Sequence, residues 1–186
     1  LLCENKADAP TLLAELKDLS VSGLERCDRK PDKTRDGKCP YMYSFGSRSV
    51  SLFDGNTGKL VWDSADLFEQ LIARLAPEYF NWNAKKNKVK MDKRSGDKGC
   101  EPENVTVGLV NNRHYVFVGL ERTSGIAVID MTNIDAPFLA DFYMDPLDRG
   151  PEGVLFIPAE QSPLEGQALL VVGYEYSKTL TIYTVK

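Results

Sequence analysis

Glutamates recur at matching places in two similar stretches of the sequence. Pro102-Glu103-Asn104-Val105 returns 49 residues later as Pro151-Glu152-Gly153-Val154, and a Gly-x-Glu corner follows each stretch. Carboxylates that crowd together raise one another's pKa or hold a hard cation such as Ca²⁺, which takes about six to eight oxygen ligands. The spacing therefore predicts a calcium site built from five side chains: Glu101, Glu103, Glu121, Glu152 and Glu175.

Two arginines, Arg48 and Arg122, stand at the same kind of corner. They could neutralise the carboxylates or bind an anion such as phosphate. A Glu–Arg network that only ties structural units together is an equal alternative at this stage. No catalytic residue is identified, because His114 is the single histidine and no serine-hydrolase elbow, phosphate loop or zinc-protease motif is present. A metal-dependent phosphoesterase, which needs only carboxylates, a metal and an arginine, is the runner-up function.

The four cysteines favour an oxidising compartment. Cys27 and Cys39 bracket a short polar loop, and a disulfide between them would stabilise the fold by roughly 2 to 4 kcal/mol. Cys3 is then left for Cys100 or for another chain, and four free thiols in a cytosolic protein stay as the alternative. Asn104-Val105-Thr106 is an N-glycosylation sequon. Together these features predict a secreted glycoprotein.

The elements that must position these residues are mostly strands. Alternating apolar residues bounded by Gly, Asn and Asp turns predict an antiparallel all-β chain. Only two helices are expected, over residues 10–19 and 66–74. The predicted strands cover residues 19–24, 41–45, 49–54, 59–63, 105–110, 114–119, 126–131, 139–143, 153–157, 168–172 and 179–185.

The internal repeat predicts the architecture. The stretch 116–130 matches 170–183, and residues 43–54 form a third, weaker copy. Units of this length are typical of four-stranded β-propeller blades, and propellers close with about four to eight of them. We therefore expect residues 1–186 to form a single propeller portion of about three to four blades in an incomplete ring, its other blades coming from a separate chain or a precursor segment. A self-contained β-sandwich is the alternative.

Composition narrows the function further. The chain has 186 residues, 42% hydrophobic and 27% charged, with a net charge of −4. This balance argues against a nucleic-acid partner, and no apolar run is long enough to span a membrane. The chain begins with Leu1 rather than Met, which suggests a processed product. Within a predicted insertion at 81–99, residues 84–98 carry seven basic and two acidic side chains, a net +5 that suits an acidic or sulfated matrix partner, a solvated loop or a processing site.

Seven motifs follow one another along the chain in an order found in a known family. They are Phe45-Gly46-Ser47-Arg48-Ser49-Val50-Ser51-Leu52-Phe53-Asp54, Asp63-Ser64-Ala65-Asp66-Leu67-Phe68-Glu69, Pro77-Glu78-Tyr79-Phe80-Asn81, Arg94-Ser95-Gly96-Asp97-Lys98-Gly99-Cys100-Glu101-Pro102-Glu103, Gly119-Leu120-Glu121-Arg122, Gly150-Pro151-Glu152-Gly153 and Phe156-Ile157-Pro158-Ala159. The chain, from about Leu12 to the C-terminus, resembles the C-terminal part of the choice-of-anchor I family. Members include cell-surface glycoproteins of biomineralising invertebrates, and some bacterial members are labelled alkaline phosphatases. The resemblance implies a secreted or surface-anchored β-propeller associated with calcium and mineral. The loop at 28–37 is diluted with bases here, so we expect calcium at the glutamates instead.

Overall fold

The computed structural model describes residues 20, 44–46, 48–83 and 90–186. The chain divides into two compact units. One consists of residues 1–47 and 95–98; the other, residues 48–94 and 99–186, carries every element described below. The expected helix over 10–19 and the expected strands over 19–24 and 41–45 lie outside the described residues, apart from Ser20, Ser44 and Phe45. Cys3, Cys27 and Cys39, the loop at 28–37 and residues 84–89 of the basic run lie outside them as well.

The first sheet is a two-stranded hairpin followed by a helix. Strands β1 (Ser51–Phe53) and β2 (Leu60–Asp63) pair antiparallel. Their connection is closed by Asp54, whose Oδ1 accepts hydrogen bonds from the backbone N–H groups of Asn56 (3.0 Å) and Thr57 (2.7 Å). The side-chain acceptor replaces a backbone partner in the turn, which is why an Asp begins it.

The single α-helix of the described chain, α1 (Leu67–Leu75), confirms the pattern over 66–74. Its buried side chains, Phe68, Leu71 and Ile72, recur every three to four residues and so lie on one face. The helix ends before Pro77, which opens a short 3-10 helix (Pro77–Tyr79).

The second sheet has four antiparallel strands in sequence order: β3 (Pro102–Val110), β4 (Arg113–Leu120), β5 (Gly125–Asp130) and β6 (Phe138–Met144). Successive side chains of a strand point to opposite faces. In β4, Val116 and Val118 pack into a core with α1, whereas Phe117 packs into a second core on the other face. The central strand is therefore buried on both sides.

The third sheet has three antiparallel strands, β7 (Pro151–Ile157), β8 (Ala168–Tyr174) and β9 (Thr179–Val185). A 3-10 helix, Ala159–Gln161, follows β7. Leu170, Val172 and Tyr174 of β8 share the second core with Phe117. The rings of Phe117 and Phe156 stack across the two sheets with their centroids 5.7 Å apart. Sheets packed face to face in series are the arrangement of propeller blades.

The fold is thus all-β and blade-like, with sheets of two, four and three strands that form no closed ring among the described residues. The nine strands fall where the residue patterns place them. Five (β3, β4, β6, β7 and β8) are longer than predicted, β3 for example beginning at Pro102 rather than Val105, whereas β1 and β2 are shorter. The third, weaker copy yields only the β1–β2 hairpin in the described part. No helix there is long and apolar enough to cross a membrane.

Candidate functional site

The site lies where the chain enters the second sheet. Glu101 precedes β3 and adopts a left-handed backbone conformation, with φ of +57°. Its carbonyl oxygen accepts a hydrogen bond from the N–H of Glu121 (2.9 Å), and the carbonyl of Cys100 accepts one from the N–H of Arg122 (3.1 Å). These two bonds hold the start of β3 against the end of β4, and they bring Glu101, Glu103 and Glu121 to one corner of the sheet.

The third sheet repeats this corner. Gly150 precedes β7 with φ of +75°. Its carbonyl accepts from the N–H of Glu175 (2.7 Å), and the carbonyl of Arg149 accepts from the N–H of Tyr176 (3.0 Å). The inner strands, β3 and β7, are the first strands of their sheets. Each has a bulge directly after its first residue, which is Pro102 in β3 and Pro151 in β7. Glu103 and Glu152 are therefore equivalent in the backbone, as are Glu121 and Glu175, which confirms the repeat.

Three glutamates of the second sheet form an acidic cluster. One carboxylate oxygen from each of Glu101, Glu103 and Glu121 lies within 4.8 Å of the other two. Glu101 and Glu121 are each only 3% exposed, whereas Glu103 faces solvent. Two buried carboxylates and one exposed one thus share a single corner, at a spacing that suits a proton or a cation between them.

Two guanidinium groups flank this acidic cluster. Arg94 Nη2 donates to Glu101 Oε1 (3.3 Å), and Arg122 Nε donates to Glu101 Oε2. Arg122 also lies 3.4 Å from a Glu121 oxygen, and its Nη1 donates to the hydroxyl of Tyr176 (2.5 Å). Because Tyr176 belongs to the corner of the next sheet, Arg122 links the two corners. The Glu–Arg network that the sequence left open is therefore present.

The pKa of the Glu121 carboxyl group is raised despite the nearby Arg122. Burial is the main cause that raises its pKa to about 8; the hydrogen bond with Glu101 and the charge of that residue add to the effect, and Arg122 opposes it. A carboxyl group with such a pKa holds a proton near neutral pH unless a cation takes its place.

The structure brings together three of the five glutamates in the predicted ligand set. Glu152 and Glu175 are exposed and do not join the acidic cluster. The reason is a single exchange at the corner: the residue equivalent to Glu101 is Gly150, so the third sheet lacks the carboxylate around which the others gather. Arg48, the other arginine of the prediction, forms an ion pair with α1. Its Nη1 donates to Glu69 of α1 (2.9 Å), and this pair lies against the backbone of Gly99.

Two members of the corner were missed by sequence reasoning. Arg94 lies in the basic run 84–98 and begins one of the family motifs, but no spacing there indicates a contact with the glutamates. Tyr176 had a usable signal, because the repeat aligns it with Arg122; a ring opposite an arginine suggests a cation–π contact, and the guanidinium carbon lies 5.3 Å from the ring centre.

The cysteine and glycan predictions receive no direct test. Cys100 carries a free, buried thiol, so its pairing with Cys3 is not formed in this structure and stays a prediction, as does the Cys27–Cys39 disulfide. Asn104 lies half-buried within β3, rather than in the surface loop that is typical of used sequons.

Comparison with known proteins identifies the family of the chain. The model of the choice-of-anchor I domain matches residues 4–134, well over half of the chain. The chain belongs to the choice-of-anchor I family. The match covers the acidic cluster, and the motifs quoted above carried the same resemblance.

Two curated proteins are similar to this choice-of-anchor I chain. Gigasin-3a of Magallana gigas is 30% identical over 193 residues, covering 93% of this chain and 66% of that protein. The mesenchyme-specific cell surface glycoprotein of Strongylocentrotus purpuratus is 32% identical over 101 residues, covering 48% of this chain and 13% of that protein. No solved structure gives a significant match. The family and the cell-surface relative indicate an extracellular or cell-surface protein.

Proposed function

We propose that this chain is a portion of an extracellular β-propeller that binds Ca²⁺ at its acidic cluster and serves as a structural or binding protein of a calcium-rich, mineral-associated matrix. The observation that carries the proposal is the meeting of three carboxylate oxygens within 4.8 Å at one sheet corner. The support for calcium is the chemistry of these carboxylate donors, because the names of the two relatives do not mention calcium.

The donor set fits a hard cation. All three side chains offer oxygen ligands, as Ca²⁺ requires, and three carboxylates exceed the two guanidinium groups beside them. Both oxygens of Glu101 already accept hydrogen bonds from arginines. Glu103, the exposed member of the acidic cluster, and Glu121 would be the main ligands, and water would complete the shell. Such a partial set suits the weak affinity of extracellular calcium modules, with Kd of about 10⁻⁴ to 10⁻³ M.

The proposed partners are the remaining blades of the same propeller. The chain spans less than two thirds of the length of both relatives. Leu180 and Ile182 on the outer face of the third sheet are 69% and 57% exposed. Their equivalents in the second sheet, Ile126 and Val128, are covered by the third sheet. A further sheet packed in the same way would cover this face too.

Calcium binding is tested by thermal melts and calorimetry with CaCl₂, using EDTA as the reference. We expect calcium to raise the melting temperature because it binds only the folded state. Glu121→Gln should remove the rise, and the matched change Glu175→Gln, at the equivalent place in the third sheet, should leave it intact. Binding near pH 7 should also release protons from Glu121, seen as a buffer-dependent heat.

A calcium effect that survives Glu121→Gln, or no effect in the wild-type chain, would leave the corner as an inter-sheet network only. The same samples can be assayed with p-nitrophenyl phosphate. Calcium-dependent turnover that Glu121→Gln abolishes would instead favour the phosphoesterase.

A further inference from the structure

Among the described residues, the third sheet has no counterpart of β6, the strand that completes the second sheet. Strand β9 pairs with β8 in the way that β5 pairs with β4: Thr179 stands opposite Tyr174 as Gly125 stands opposite Leu120. In the second sheet, the outer edge of β5 is then covered by β6. Within residues 48–83 and 90–186, no strand pairs with the corresponding edge of β9. An unpaired edge is a template for another strand.

Strand β6 shows what a strand paired with this edge of β9 would contribute. Its side chains Leu139 and Phe142 turn back toward the preceding sheet and pack on the first core. The Phe142 ring lies directly against the backbone of Gly125. Thus the outer strand is more than a hydrogen-bonded edge, because it also fills the space between neighbouring sheets with two apolar side chains.

In the third sheet that space is an open cleft. It has a volume of about 360 Å³ and lies between the second sheet and β9. Four of its twelve lining residues are aromatic, and the rings of Tyr143 and Tyr183 meet edge to face with centroids 4.8 Å apart. Side chains of a strand paired with β9 that stand beside Tyr183 would point to the same side of the sheet, into this cleft. The lining residues used in this argument are Tyr115, Phe117, Val128, Asp141, Tyr143 and Tyr183.

We propose that β9 accepts a fourth, antiparallel strand from the part of the propeller that lies outside these 186 residues, and that apolar side chains at the places of Leu139 and Phe142 fill the cleft. That this strand comes from outside the 186 residues rests on the proposed propeller and on Gigasin-3a, because this chain covers only 66% of that protein. It does not depend on calcium. Main-chain hydrogen bonds would supply affinity and the cleft would supply specificity, as in other strand additions.

The chain itself provides the probe. A peptide with the sequence of residues 137–145, which contains β6, is titrated into the intact chain in EDTA, and amide hydrogen exchange is followed by mass spectrometry. We expect exchange in β9 to slow by about tenfold at a peptide concentration about ten times Kd. The same peptide with Leu139→Asp and Phe142→Asp is the control, and it should give no protection. All substitutions are in the peptide, so the fold of the chain is not at risk.

Equal protection by both peptides, protection at β3 rather than β9, or none at all would overturn the proposal. Faster exchange in β9 when the chain alone is diluted would also overturn it, because the edge would then be covered by a second copy. Since EDTA is present throughout, these results are separate from the failure or success of the calcium site.

Discussion

At the scale of the residue, two equivalent glutamates have different environments. Glu121 and Glu175 occupy the same backbone position, yet Glu121 is 3% exposed and Glu175 faces solvent. Their difference follows from neighbours rather than from their own geometry. Glu121 has Glu101 before it in the corner and Arg122 after it, whereas Glu175 has Gly150 and Tyr176.

This burial predicts a pH dependence of stability. The pKa of Glu121 is raised from 4.5 to about 8 in the folded chain, so the folded state holds a proton that the unfolded state releases. The stability from this group is therefore complete below about pH 4.5 and is lost as the pH rises toward 8. Glu121→Gln should make the free energy of unfolding, measured with urea in EDTA from pH 5 to 8, less dependent on pH.

The matched variant Glu175→Gln should keep the wild-type pH dependence, because that carboxyl group is exposed. An unchanged slope in Glu121→Gln would show that the Glu121 carboxyl is ionised in the folded chain, paired to Arg122.

At the scale of the element, each sheet corner depends on a residue with positive φ before the inner strand. Gly150 fills this place in the third sheet, and a side chain there would meet the Tyr176 ring. Glu101 fills it in the second sheet despite its side chain, at a conformational cost that its ion pairs with Arg94 and Arg122 offset. The acidic cluster thus exists because one corner accepts a backbone conformation that favours glycine.

Gly150→Ala should destabilise the chain strongly. A methyl group at Gly150 would lie 2.5 Å from a Tyr176 ring carbon, in a conformation with φ of +75°. We expect a loss of about 1–2 kcal/mol for the left-handed backbone and a further ~1–3 kcal/mol for overpacking. Gly166→Ala is the control, because φ there is +70° and no atom lies within 4 Å of the added methyl. Equal losses in urea unfolding would mean that Tyr176 moves aside freely.

At the scale of the whole molecule, the packing of the second sheet against α1 buries Cys100 completely. Burial, and the negative charge of Glu69, raise the pKa of this thiol to about 12. The remaining cysteines carry the prediction of an oxidising compartment.

Thiol mapping tests both statements. In the native chain, iodoacetamide at pH 8 should leave Cys100 unmodified, because the reactive thiolate is neither exposed nor formed; unfolding should make it react. Non-reducing peptide mapping should recover Cys27 linked to Cys39. Native alkylation of Cys27 and Cys39 would argue against an extracellular origin, and a Cys3–Cys100 peptide would contradict the free buried thiol.

Local patterns in the sequence were enough for most of the fold. Alternation of apolar residues placed β3 to β9, and the 49-residue repeat predicted equivalent corners. The spacing of Leu67, Leu71 and Leu75 placed α1, although the structure buries Phe68, Leu71 and Ile72. These features depend on residues near one another along the chain, so a single sequence carries them. The same repeat predicted that Glu103 and Glu121 share a corner, next to Glu101.

Which glutamates meet was decided only by the tertiary structure. The repeat treats Glu152 and Glu175 as equal to their counterparts, but a carboxylate cluster depends on distance, burial and counter-charges, and these come from residues far apart in the sequence, such as Arg94, Arg122 and Tyr176. Likewise, only the observed strand pairing shows that one edge of β9 is covered by no strand among the described residues. Sequence patterns determine what each strand can bury, and the packing of sheet against sheet determines which charges share a corner.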